Sequence, residues 1–568
     1  MGDFEVGISV AELELNSGKI SFDPGDIVLV VGPNNVGKSA MLRDMYGHLL
    51  FGASFTASHV VQSLKITKRG DNEKFARWIV TRTKQDPTRP SMYDMGGVRA
   101  PLNNWINSWE RLGTQGLQSL HIPFVANITT ETRLSAANPT PIKKFTNEAP
   151  SHPLHFLYLF PETVEAKFRR IFRRAFGTDL VVNRLAGAEI TLHVGQCPPL
   201  SSGEPVTSEA YIRAVEKLPR IETQGDGMRC FAGVTLWALV GDVDVLIADE
   251  PEAFLHPPQA RLLGQLLVTE TSPNTQIFLA THSGDFIRGI LNTDSARVKV
   301  LRLTREGGTN PFHYLSQNSL RELWRDPILR YSNALDGLFH EQVVICEGDA
   351  DCRFYGAVVD AIWANEPEFI TPDALFIHCG GKHRMPVLVR ALRALNVDVR
   401  VVSDFDLFES ERPLRQIFEA LGGNWKSVED DWRAVRAAIG QRRSERPGTE
   451  VKSEIEVELA KVGATFERDI AERIRQLLPK ASPWAIAKDV GKAYLPAGDV
   501  RETYDRLLQT LAGVNLFVVE DGELESFYRH ASNHGPAWVN EVVEQDLAND
   551  PNLATARAFV KKVVSENN

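Results

Sequence analysis

Cysteine is scarce in this chain: Cys197, Cys230, Cys346, Cys352 and Cys379 are the only five in 568 residues. None pair as C-x-x-C, and no Cys/His cluster has zinc-ligand spacing, so a zinc module is excluded. Cys230, Cys346 and Cys379 lie in apolar runs and read as small core residues, consistent with a reducing compartment. No run of about 18 apolar residues is present to span a bilayer. The N-terminus lacks a basic stretch followed by an apolar one, so a cytoplasmic protein with no membrane contact is expected. An excess of positive charge is missing too. With 63 Lys+Arg against 73 Asp+Glu the net charge is −10, which excludes a uniformly basic coat and requires any DNA contact to come from a local basic face. The chain has no internal repeat and no low-complexity tract, which excludes a repeat array.

What is present is ordinary globular material. A hydrophobic content of 43% is enough for more than one core, and the length suggests roughly two to four domains. Apolar strand sequences at Ile27–Val31, 243–248 and Gln276–Ala280 alternate with helical sequence, which predicts a parallel α/β sheet. A second alternation runs through 343–346, 375–378, 399–402 and 516–519, with a charged, helix-rich stretch at about 410–510. The boundary is expected near 305–340, giving domains at 1–320 and 335–568. The basic helix sequence around Lys167, Arg169, Arg170, Arg173 and Arg174 has Phe168, Phe172 and Phe176 on its other face. That stripe reads as a core contact, and the basic face as either solvated or a DNA-backbone contact.

Two phosphate-handling motifs stand in series. Gly32-Pro33-Asn34-Asn35-Val36-Gly37-Lys38-Ser39 matches G-x-x-x-x-G-K-[ST] between a buried strand and a helix predicted from about Ser39 to Leu50. Backbone N–H groups there suit phosphates, with Lys38 reaching the β/γ-phosphates and Ser39 a Mg²⁺ ion. Downstream, Asp249 ends an apolar strand and is expected to hold Mg²⁺ through water. Glu250 beside it is placed to polarise an attacking water, and His282, after the next strand, to sense the γ-phosphate. In the second half, Glu347 caps a strand, Asp351 follows one helical turn on, and Asp404 and Asp406 straddle one residue at another strand end. Carboxylates converging from adjacent parallel strands suit Mg²⁺ or Mn²⁺, and such ions can support phosphodiester cleavage.

The set ending in Asp249-Glu250-Pro251-Glu252-Ala253-Phe254-Leu255-His256-Pro257 resembles the ABC-type ATPase heads of recombination and chromosome-maintenance ATPases. The resemblance places a signature at Gln224-Gly225-Asp226-Gly227-Met228-Arg229, which departs from Leu-Ser-Gly-Gly-Gln. As a signature, Gly225, Asp226 and Gly227 would act on the nucleotide of a second copy, hence a homodimer. The 211 residues between Lys38 and Asp249 are long for a minimal head, so an arm or insertion is expected at about 55–220. The Glu347-Gly348 and Asp404-x-Asp406 pair, with Gly380-Gly381-Lys382, resembles the TOPRIM fold. An ABC head followed by TOPRIM resembles the OLD (overcoming lysogenization defect) endonucleases, which include anti-phage effectors.

That resemblance implies metal-dependent DNA cleavage under ATP control. It also implies a possible defence-system partner protein, late acidic residues matched by Glu523 and Glu525, and a metal-side Lys matched by Lys561 or Lys562. Two other expectations stay open: an ATP-driven sensor or scaffold for a partner effector, and a nuclease acting on RNA such as tRNA.

Overall fold

The computed structural model describes residues 6–565 apart from 87–88, 96, 146–147, 242, 306–308, 316–332, 367, 370–372, 442–446, 464, 478–482 and 532. Much of the expected boundary at 305–340 therefore lies outside the described residues. The protein is mixed α/β, and its backbone contacts divide it into two units, Met1–Arg325 and Asp326–Asn568. Among the described residues no helix is long and apolar enough to cross a membrane.

The first unit is built on a six-stranded sheet. Its spatial order is Phe312–Leu315, Val298–Leu303, Ile27–Val31, Gln276–Ala280, Val245–Asp249 and Val125–Ile128. Every neighbouring pair is parallel except the antiparallel pair at the Phe312–Leu315 edge. Ile27–Val31 is buried at all five positions, as expected of a strand covered on both faces. Registers set Asp249 beside Ala280 and Ala280 beside Val30, so three strand ends open on one edge of the sheet. That edge is where parallel α/β sheets bind ligands. The helix after the phosphate loop is Lys38–Phe51.

The segment 55–220, expected as an arm, is not one excursion: it returns to the main sheet to supply the edge strand Val125–Ile128. It also forms a β-meander at Lys84–Pro101 and the hairpin Asp179–Ala186 with Glu189–Gly195. The helical sequence at 151–176 is broken into Pro153–Leu159 and Ala166–Phe176, with one wide turn between them beginning at Pro161.

The second unit is a four-stranded parallel sheet in the order Ala374–His378, Gln342–Cys346, Asp398–Ser403, Leu516–Val518. Helices Asp349–Asn365 and Ala554–Val564 bury Phe354, Tyr355, Val358, Val560 and Val563 in one core together with Trp538. Each large side chain of this kind contributes about 1.5–3 kcal/mol by leaving water. The chain end is pinned by buried polar groups: Gln342 Nε2 donates to Val564 O (3.0 Å), and Arg400 donates to Val563 O and Ser565 O. Between the third and fourth strands the chain is helical from Glu411 to Ala512, apart from short connections and the residues not described.

Candidate functional site

In the first unit the phosphate loop is held by backbone geometry that its sequence makes available. Gly32 adopts φ +144°, and a Cβ there would stand 2.2 Å from Leu303 O. Asn35 (φ 61°) and Gly37 (φ 96°) take left-handed conformations, which Gly and Asn tolerate best. Asn34, Asn35 and Ser39 are exposed, whereas Val36 is buried and its carbonyl accepts from Asn310 Nδ2 at 2.6 Å. Lys38 is buried, and its Nζ donates to Gly32 O (2.7 Å) and Pro33 O (2.6 Å). Burial pushes its ammonium down to about 8, against the opposing pull of Glu250 and Asp249.

The neighbouring strand ends complete the constellation. Asp249 Oδ1 is buried and makes no hydrogen bond among the described residues, an acceptor whose burial is costly without a cation or donor. Glu250 takes φ 47° and donates its N–H to Ala280 O at 2.9 Å. Its Oε1 lies 3.7 Å from His282 Nε2. Burial, and then Lys38, push the His282 imidazole down. Behind this layer Thr281 Oγ1 donates to Glu252 Oε1 at 2.5 Å, and burial raises the Glu252 carboxyl to about 7.

A residue that sequence reasoning missed clamps the strand end. Arg133, from the helix Thr130–Ser135, donates to the carbonyls of both Asp249 and Glu250 and packs over the Phe254 ring. Gly225 caps the helix Asp226–Leu239 at a solvent-facing N-terminus, where Asp226 accepts from Arg229 Nη1 at 2.9 Å. A Cβ at Gly227 would lie 2.8 Å from Phe254 O. No hydrogen bond links Gly225–Gly227 to the phosphate loop among the described residues.

In the second unit the carboxylates converge. Glu347 follows the strand Gln342–Cys346, and its Oε1 accepts from Ser403 Oγ and from Asp404 N at 3.3 Å. Gly381 N donates to Glu347 O at 3.0 Å, so the Gly380–Gly381 turn folds back on that strand end. Asp351 accepts from Gly348 N at 2.7 Å. Burial raises its carboxyl to about 6, with Glu347 and Glu525 adding to the rise. Asp404 is pushed well above the carboxylate range by burial, then by Glu347 and Asp351. Lys382 Nζ lies 3.1 Å from Asp406 Oδ1.

A second Lys at this centre is Lys488, on the helix Pro483–Val490. Its Nζ stands 3.8 Å from Asp404 Oδ2, 3.7 Å from Asp406 Oδ2 and 3.5 Å from Glu523 Oε2. Burial disfavours its charge, but Asp406, Asp404 and Glu523 outweigh this and raise the ammonium. The expected Lys561 and Lys562 go elsewhere: Lys561 pairs with Glu366 and Lys562 lies 3.8 Å from Glu520 Oε1. The reason is register on one helix, Ala554–Val564, whose buried face is Val560, Val563 and Val564.

Glu523 and Glu525 do reach the cluster's edge, where ligand atoms of Glu523, Glu525 and His534 lie within 4.8 Å of one another. A Cβ at Gly522 would stand 2.2 Å from Lys488 O, and one at Gly491 2.1 Å from Glu520 O, so two backbones touch there. On the basic helix, Lys167 pairs with Glu270, Arg169 with Cys197, Arg173 with Asp179 and Arg174 with Gln265. Most of that face is engaged within the protein.

Residues 212–288 match a family model described as AAA domain, putative AbiEii toxin, Type IV TA system. Residues 338–406 match one described as overcoming lysogenization defect protein-like, TOPRIM domain. The chain is 24% identical over 173 residues to the Old nuclease of Escherichia phage P2, a match spanning 29% of this chain and 28% of that protein. Among solved structures it is similar to the Smc head domain from Pyrococcus furiosus with an extended coiled coil (12% identity, TM-score 0.34, 56% of this chain and 98% of that one). It is also similar to the SMC head domain from Thermotoga maritima (13% identity, TM-score 0.26, 54% and 99%). Strand order and the phosphate loop, rather than these two likenesses, define the first unit. The chain carries an AAA-type ATPase domain followed by an OLD-like TOPRIM domain, the ATPase–TOPRIM architecture of the overcoming-lysogenization-defect family.

Proposed function

We propose that the protein is a divalent-metal-dependent endonuclease that cleaves DNA under the control of ATP, with a role in defence against phage. The observation that carries this reading is the second-unit cluster. Glu347, Asp351, Asp404, Asp406 and Glu523 crowd together, and burial with mutual repulsion raises Asp351, Asp404 and Glu523. A set of hard oxygen ligands that repel one another fits Mg²⁺ or Mn²⁺, with Glu347, Asp351, Asp404 and Asp406 as the holding residues. A bound divalent ion would supply charge that activates water and stabilises the leaving oxygen of a phosphodiester. The chain's own contribution is positional: Ser403 and Gly348 orient Glu347 and Asp351, and Lys488 brings a fixed positive charge to where phosphate oxygens would lie.

In the first unit, Lys38 would exchange its bonds to Gly32 O and Pro33 O for phosphate oxygens. Ser39 and the unpartnered Asp249 Oδ1 fit Mg²⁺, while Glu250, steadied by His282, would accept a proton from the attacking water. Gly225–Gly227, at an exposed helix N-terminus, suits the phosphate of a second copy's nucleotide, which makes a homodimer the expected working form. The test is cleavage of plasmid DNA and of RNA by the full chain with Mg²⁺ or Mn²⁺, with and without ATP. DNA cleavage is expected, abolished in Glu347→Ala and no longer ATP-responsive in Lys38→Ala. Failure of the wild type to cut either polymer would overturn the nuclease reading. Cleavage indifferent to Glu347→Ala would overturn the assigned centre.

A further inference from the structure

A net charge of −10 requires any nucleic-acid contact to come from a local basic face. The basic helix Ala166–Phe176 engages most of its cations within the protein. A second basic stretch lies against the metal centre. Residues 378–393 contain Lys382, Arg384, Arg390 and Arg393 with His378 and His383, and no Asp or Glu. They form the turn that leaves the strand Ala374–His378 and the helix Met385–Ala394 that follows.

The turn is tied to the centre at two points. Gly381 N donates to Glu347 O at 3.0 Å, and Lys382 Nζ donates to Asp406 O at 3.3 Å. Its outer side is open. Gly380 and Gly381 take φ +73° and +113°; a Cβ at Gly381 would meet nothing within 4 Å, and one at Gly380 only Arg384 Nη1 at 3.8 Å. A backbone so bare admits close approach by another chain, with the Arg384 guanidinium beside it.

Arg384 and Arg390 are exposed, and neither side chain makes a hydrogen bond or ion pair among the described residues. By contrast Arg353, Arg415, Arg433 and Arg506, exposed on other helices of this unit, each pair with a carboxylate. Arg393 donates to Ala420 O at 3.1 Å. An exposed guanidinium with no internal partner is available to an outside anion, and phosphate suits its fork geometry. The six residues from Arg384 to Arg390 climb about 9 Å of helix. That is roughly two to three nucleotide steps at about 3.4 Å each. The helix N-terminus adds its positive end at the same place.

We propose, on the nuclease reading above, that Arg384 and Arg390 with the bare Gly380–Gly381 turn form a track for the sugar–phosphate backbone of a nucleic acid, holding the strand that runs into the metal centre. Contacts of this kind set register and carry no sequence information, so they serve DNA and RNA alike.

The test is fluorescence anisotropy on the full chain with labelled duplex DNA and duplex RNA, each in two unrelated sequences, with Ca²⁺ in place of the cleaving ion. Salt is varied between about 50 and 200 mM. Arg384→Gln/Arg390→Gln should reduce the slope of log affinity against log salt on DNA by about 0.9 per lost contact, about 1.8 for the pair, equally on both sequences. At the low-salt end affinity should fall about tenfold or more, while Mn²⁺ binding by electron paramagnetic resonance stays within about twofold of wild type. Arg415→Gln/Arg433→Gln removes the same charge from other helices and should leave the slope within about 0.3 of wild type. An unaltered slope in the first pair, an equal reduction in the second, or a loss of Mn²⁺ binding alongside that of DNA would overturn the track. A wild type that binds neither polymer would overturn the nuclease reading as well. Binding and cleavage by the wild type, with the slope unaltered in Arg384→Gln/Arg390→Gln, would sink the track alone.

Discussion

Lys488 sits within 4 Å of three carboxylates (Asp404 and Asp406, expected as metal ligands, and Glu523), and this position separates two effects normally lost together. Removing a cation beside a cation site lowers repulsion, so Lys488→Ala should bind Mn²⁺ as tightly as wild type or more tightly. Cleavage should nevertheless fall by about 10²-fold, because a fixed charge aimed at the reacting phosphate is gone. Mn²⁺ titration by electron paramagnetic resonance alongside a cleavage assay reads both, and weaker metal binding in this variant would contradict the assignment. Asp351 gives a second prediction. Its carboxyl is raised to about 6, so in the metal-free protein it is protonated below that pH and ionised above it. Metal binding must displace that proton on the acid side. Apparent Mn²⁺ affinity is therefore expected to fall as pH drops from 7 to 5, by up to about tenfold per unit below 6 from this residue. Asp351→Asn should flatten that part of the slope. Most of these side chains were legible in the sequence because each ends an apolar strand. Glu347, Asp404 and Asp249 carry the signal in their own neighbourhood. Lys488 and Arg133 do not: each reaches its site from a helix whose local pattern says nothing about where it docks.

At the scale of elements, close backbone approach decides whether the site assembles. Gly522 adopts φ +124°, and a Cβ there would meet Lys488 O at 2.2 Å. Gly522→Ala should push the Pro483–Val490 helix away from the turn that carries Glu523 and so reproduce the cleavage loss of Lys488→Ala. The core Trp538–Phe354 packing lies outside that turn and should survive, as intrinsic tryptophan fluorescence would report. Gly203→Ala, whose Cβ would meet nothing within 4 Å, controls for the backbone term alone, since its φ is also positive. The parallel strands were readable because burial on both faces makes them continuous apolar runs. The segment 55–220 was not, because a four-residue edge strand, Val125–Ile128, carries too short a pattern to distinguish it from an arm. Its place in the sheet depends on pairing with Val245–Ala248, more than a hundred residues later.

At the scale of the molecule, the two units hold separate cores, one around Val30, Phe278 and Trp109 and the other around Phe354, Trp538 and Val344. Residues 326–568 expressed alone should therefore fold and bind Mn²⁺ within about threefold of the full chain, while losing any response to ATP. Circular dichroism melting and the same metal titration test this; an unfolded fragment would show that the second core needs the first. The order of strands in the main sheet bears on how the protein is made. Ile27–Val31 emerges from the ribosome early, yet its two sheet neighbours are Gln276–Ala280 and Val298–Leu303, about 270 residues later for the second. At about 5–20 residues per second, that apolar strand waits roughly 12–50 s with its backbone N–H and C=O groups unpaired by a sheet neighbour. Chains released before Gln276 would leave Ile27–Val31, the strand that leads into the phosphate loop, without either of its sheet neighbours.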